Sequence, residues 1–179
     1  MIEPGWVRAM AVYNAEMNRR LFAAAEALDD ASRRAEAGAF FGSIHGTLCH
    51  LIWGDTTWMS RFDGWEKPAV GISGSAAWIA DWAALKAARS EADARIEAWA
   101  ARLTPDDLAG DLTWFSGATG REMRRPRWLL ITHLFNHQTH HRGQAHALLT
   151  RAGAQTEDTD LPWVIPPEAW TPSPAPPAG

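Results

Sequence analysis

Apolar residues recur at intervals of three and four along most of this chain, the spacing of one helix face. In residues 6–29 they fall at Val7, Met10, Ala11, Tyr13, Met17, Leu21, Phe22, Ala25 and Leu28, which predicts an amphipathic helix starting after Pro4 and Gly5. A polar connection, DDASRRAEAGAFFGS, follows. Ser43 is placed to cap a second helix over 43–62, whose stripe includes Leu48, Leu51, Ile52, Met59 and Phe62. The Gly- and Pro-punctuated FDGWEKPAVGISGS reads as a loop. A third helix is expected over 75–102, and Thr104-Pro105-Asp106-Asp107 reads as a turn or short helix start. Residues 108–125 break the pattern, since two Gly-containing turn signals flank a short Leu-Thr-Trp-Phe run, which fits a small hairpin or irregular segment. A last helix is expected over 127–152, with Gly153 as its C-terminal cap. Four long helices joined by loops predict an all-α four-helix bundle over residues 1–165. The Pro-rich residues 166–179 are expected to be a disordered tail. No internal repeat is present.

Composition narrows the class. The 179 residues suit one domain, and 46 % hydrophobic residues supply a core. The formal charge of −4 gives no general attraction to nucleic acid or anionic lipid. No run of about 18 apolar residues is present, so no membrane span is expected. MIEPGWVRAM lacks the basic-then-apolar pattern of a leader, and the expected location is cytoplasmic. Cys49 is the only cysteine, which excludes an intramolecular disulfide and a cysteine-rich zinc site. Eleven tryptophans stand against one tyrosine and six phenylalanines. They are expected to fill space between helices, or else to line a pocket or subunit interface.

Candidate chemistry concentrates in HLFNHQTHHRGQ, residues 133–144, where His133, His137, His140 and His141 fall together. Helical residues four apart differ by about 40° in direction and about 6 Å in height, so two such imidazoles can share an ion. His133 with His137, and His137 with His141, have this spacing; His137 and His140, three apart, are also neighbours. His133 and His141 are about 12 Å apart along the axis, too far for one ion. Spacing alone does not choose the pair. A useful site also wants a third protein ligand, from another helix. His45 and His50 on the second helix are the candidates, and about 140° separates their directions, so at most one faces the site.

These segments carry a resemblance. HLFNHQTHHRGQ with AHALLTRAG closely resembles the last-helix signature of the DinB/YfiT-like family of metal-binding four-helix-bundle proteins. FGSIHGTLCHLIWGDTTWMSRF resembles that family's second helix, and YNAEMNRRL and TDLPWVIP are similar to its flanking segments, so the likeness covers roughly residues 7–165. It implies one divalent metal, usually zinc or nickel, bound by His50, His137 and His141, with an open position for water or a substrate atom. His133 then becomes a supporting or core residue and His140 points aside. Cys49, about 100° from His50, is expected to be a small core residue. The resemblance further implies a homodimer, and an enzyme of the thiol-dependent S-transferase or detoxification type acting on a low-molecular-weight thiol and a small electrophile. The alternative it leaves is a non-catalytic, stress-associated metal-binding dimer. No polymerase activity is implied.

Other constellations are weaker. Asp55 reads either as a residue that orients a ligand or acts as a base, or as a surface or cap carboxylate. Asn14, Asn18, Asn136 and Gln144 are candidates to hydrogen-bond ligand imidazoles, with Asn14 the foremost. The basic run Arg121, Arg124, Arg125, Arg127 suits a carboxylate or phosphate, or a solvated loop. No phosphate loop, G-x-S-x-G or H-E-x-x-H motif occurs.

Overall fold

Each long amphipathic stretch forms a helix. The computed structural model of the chain describes residues 2–117 and 119–170. Helix α1 spans Pro4–Glu26, with Pro4 in the first turn, where its missing N–H leaves no bond unmade. A short α2, Asp30–Arg34, lies within the polar connection. Helix α3 spans Ile44–Phe62, and the Ser43 hydroxyl accepts from the Gly46 N–H at 3.0 Å, the expected cap. After a crossover, α4 runs over Trp82–Arg102 and α5 over Pro105–Leu108. Strands β1 (Asp111–Ser116) and β2 (Arg121–Pro126) pair antiparallel with Trp114 opposite Met123. Helix α6 spans Arg127–Arg151 and stops at Gly153, which takes φ 82°. A short α7, Leu161–Val164, follows.

The third helix departs from expectation. It is broken between a 3-10 turn at Ile72–Ala77 and the start of α4, where the Asp81 carboxylate accepts from the Ala84 N–H at 2.7 Å. The break is held by α3: the Ile79 N–H donates to Cys49 Sγ at 3.2 Å, and His45 Nε2–H donates to the Ile79 carbonyl at 2.9 Å. Periodicity does not reveal it, because the Ala- and Trp-rich stretch continues helical spacing across it. Cys49 is fully buried, as expected for a small core residue. The tryptophans are less central than space-filling requires. Trp65 and Trp99 are buried, whereas Trp163 is 81 % exposed and the others are intermediate or, like Trp170, exposed.

Two apolar clusters fill the bundle. One joins Leu21, Phe22, Leu48, Leu51, Leu85, Leu148 and Leu149. The other joins Val7, Met59, Ile96, Ile131, Leu134 and Phe135. Helices α1 and α6 run from the second cluster to the first, and α3 and α4 run the other way, so the order is up-down-down-up. Between the clusters lies a closed polar ring. Arg89 Nη1 donates to Asp55 at 2.6 Å and Arg89 Nε to Asp93 at 3.0 Å. Asn18 donates to Asp93 at 2.9 Å and Asn14 at 3.5 Å. Arg142 donates to Asn14 and, at 3.4 Å, to the Gln138 side-chain amide oxygen, and the Gln138 amide N–H donates to Asp55. Two guanidinium groups and two carboxylates balance, and all four long helices contribute. The C-terminal segment docks on α1 through Ile165 against Tyr13 and Met17, and Tyr13 O–H donates to the Thr159 carbonyl at 2.6 Å. Pro167–Ala169 form a 3-10 turn there, while residues 171–179 of the expected tail lie outside the described residues.

Candidate metal centre

Helices α3 and α6 pack face to face, and at Gly54 the His137 ring lies directly against the α3 backbone. A Cβ built on Gly54 would stand 2.7 Å from His137 Cε1, so only glycine admits that imidazole. One turn earlier on α3 is His50; one turn later on α6 is His141. The three rings converge, with ring centroids 5.2 Å (His50–His137), 4.8 Å (His50–His141) and 4.4 Å (His137–His141) apart. One nitrogen from each lies within 4.8 Å of the others. Of the pairs that spacing left open, the fold thus brings together His137 and His141, and from the second helix His50. His45 is turned to Ile79 instead.

Hydrogen bonds set the tautomers. The Ser75 hydroxyl donates to the Ile72 carbonyl at 2.7 Å, so its oxygen accepts from His50 Nδ1–H at 2.8 Å. The Gln144 amide oxygen accepts from His141 Nδ1–H at 2.7 Å. Both rings therefore turn an Nε2 lone pair inward. His50 Nε2 and His137 Nε2 lie 3.2 Å apart. Two nitrogens bound to one tetrahedral zinc at 2.0–2.1 Å would be separated by about 3.4 Å, so this edge already fits an ion. His137 Nδ1 is buried without a hydrogen-bond partner among the described residues. Burial pushes His50 down to about 4 and His137 to about 3, with neighbouring imidazoles adding to the effect. Burial also lowers His141, against the opposing pull of Gln144. The cluster is thus neutral at pH 7, the protonation state a metal requires. Phe41 stacks on His50 at 3.7 Å between centroids and meets His141 edge-on at 5.2 Å.

The remaining candidates fall elsewhere. His133 is exposed rather than core-directed; it meets Trp58 edge-on at 5.1 Å, and its ring is 5.9 Å from His137. His140 is exposed beside Gln144, as expected of a residue that points aside. Asp55 is neither a surface carboxylate nor a ligand-orienting one: it is 0 % exposed and committed to Arg89 and Gln138. Asn14 and Asn18 belong to the polar ring, not to a ligand imidazole, and Asn136 is exposed. Only Gln144 of that set reaches the cluster. Ser75, Phe41 and Gly54 were not singled out by the sequence. A small residue one turn past His50 was the available sign of Gly54, whereas Ser75 lies 25 positions from His50 in an irregular segment, with no periodic signal.

An all-α bundle whose facing helices bring three neutral imidazoles into one cluster defines a class of protein fitted to hold a metal ion. The chain belongs to the DinB family, whose model matches residues 2–173. No curated protein and no solved structure matches significantly.

Proposed function

We propose that His50, His137 and His141 hold one divalent ion, zinc or nickel, through Nε2 of each ring, and that the site serves thiol-dependent S-transfer to a small electrophile. The observation that supports it is the inward-turned Nε2 of His50 and His141, each fixed by a hydrogen bond on its opposite nitrogen. When bound, such an ion lowers the pKa of a coordinated thiol or water and leaves a position for it. Ser75 and Gln144 hold two rings in the required orientation. Phe41 covers His50 and keeps water from that face. Exposed His133 lies beside His137 on α6, where its imidazole nitrogen can accept the thiol proton. Zinc and nickel both accept imidazole sites, and which is bound follows availability.

Metal content by mass spectrometry tests the centre: one ion per chain in the wild type, and loss of most of it in His50→Ala, His137→Ala and His141→Ala. Wild-type stoichiometry retained in His50→Ala or His137→Ala would place the site elsewhere. A screen of thiols against electrophiles tests the reaction, and full metal occupancy without turnover would favour the non-catalytic reading. Because folding depresses the imidazole pKa values, protons compete less well with the ion, so occupancy should persist somewhat below pH 6.5 before it fails.

A further inference from the structure

The basic run on β2 finds a place once the hairpin register is known. Leu112, Trp114 and Ser116 face the same way as their partners Arg125, Met123 and Arg121. The opposite face carries Asp111, paired to Arg124 at 2.8 Å, and Glu122. The Trp114 face therefore has two arginines and no carboxylate.

That face rests on α3. Trp114 meets Trp58 edge-on at 5.8 Å. The Arg61 guanidinium lies 4.4 Å from the Trp58 ring centre and 5.6 Å from that of Trp114. Arg61 is half-buried, and among the described residues it has neither a hydrogen bond nor a salt bridge. Burial lowers its pKa, so its charge is poorly solvated as well as unpaired. Arg121 and Arg125 are likewise exposed with no carboxylate partner among the described residues. A planar cation held on aromatic faces keeps its N–H edge free for a bidentate carboxylate.

The position relative to the histidines decides what this edge could bind. Trp58 touches His133, and His133 neighbours His137, so a continuous run of rings joins Arg61 to the cluster. Arg61 and His50 lie about 20° apart in direction on α3 and about 16 Å apart in height. The longer Arg61 side chain reaches back over Trp58, three residues nearer His50, which shortens the gap. The remaining distance fits a thiol with the length of a short peptide and is too long for a cysteine-sized one.

We propose that Arg61, set between Trp58 and Trp114 and flanked by Arg121 and Arg125, is the positioning residue for the carboxylate end of a peptide-like thiol whose sulfur lies at the histidine cluster. The sulfur end rests on the function proposed above; the carboxylate end does not. The two are separated by probes. S-methylglutathione, which has carboxylates but no free thiol, should shift the Trp58 and Trp114 indole N–H signals of the zinc-loaded protein, and its diethyl ester should not. Arg61→Gln should abolish the shift, and the Arg121→Gln/Arg125→Gln pair, which leaves the stacked guanidinium in place, should weaken binding about tenfold. Zinc content and melting temperature measured alongside confirm that each variant is folded and loaded. Glutathione added to cobalt-loaded protein should give a thiolate-to-cobalt absorption band with about tenfold higher affinity than its diethyl ester, a preference lost in Arg61→Gln. Indole signals that ignore S-methylglutathione, or that move equally with the diester, would overturn the anchor. A moving indole with a silent cobalt spectrum would leave the carboxylate site standing and refute the thiol chemistry.

Discussion

His50 and His141 owe their orientation to single hydrogen bonds, so the effect of each support should be separable from that of the ring it holds. Gln144→Ala removes the acceptor of His141 Nδ1–H and should weaken metal affinity about 10–100-fold, as losses around a ligand commonly do. His140→Ala should leave stoichiometry and affinity within about twofold, since among the described residues its one side-chain hydrogen bond is with Gln144. Competition with a chromophoric chelator measures both, and an affinity loss in His140→Ala as large as that in Gln144→Ala would contradict these roles. At this scale the sequence was informative where one helix supplies the geometry: His137 and His141 share a face because of backbone pitch alone. It was uninformative about Ser75, whose hydroxyl reaches His50 only through the fold of the crossover. It was misleading about Asp55, because five residues past His50 on a helix looks like reach, while Arg89 on another helix holds that carboxylate.

Between elements, the α3–α6 contact turns on Gly54. Gly54→Ala normally strengthens a helix by roughly 1 kcal/mol, but here the added methyl would meet the His137 ring at 2.7 Å. The expected outcome is a net loss of stability together with weaker metal binding, because the two helices or the ring must move. An increase in melting temperature with unchanged affinity would show the contact to be looser than drawn. Element identity was legible wherever periodicity had caps beside it, as with Ser43 before α3 and Gly153 after α6. The hairpin was legible from its turn residues. The break before α4 was not, since Asp81 caps a helix inside a stretch that reads as helical throughout.

For the molecule as a whole, the polar ring is expected to dominate stability. Asp55→Ala leaves Arg89, 2 % exposed, with half its partners gone, which should cost about 3–5 kcal/mol. For a domain of this size, a melting temperature lower by on the order of 10 °C should follow. A change of less than about 2 °C would mean water replaces the carboxylate. Sedimentation should show a dimer at micromolar protein, the association expected of this chain; exposed Phe40, Phe115, Leu129 and Trp163 are apolar groups a partner copy would cover. A monomer throughout that range would refute it.

Gln138 and Arg142 in that ring each follow one of the clustered histidines in the sequence. Whatever fixes their direction also fixes the phase of α6 about its own axis. The three imidazoles are thus held together by protein contacts, and a chelator should strip an ion bound there without melting the bundle. Demetallated protein should keep its helical circular dichroism and refill at the rate of metal encounter, not of folding. Histidine and arginine side by side in the chain divide the work: one face of the helix gathers the imidazoles, and the adjacent face acts as the key in a lock that stops the shaft from turning.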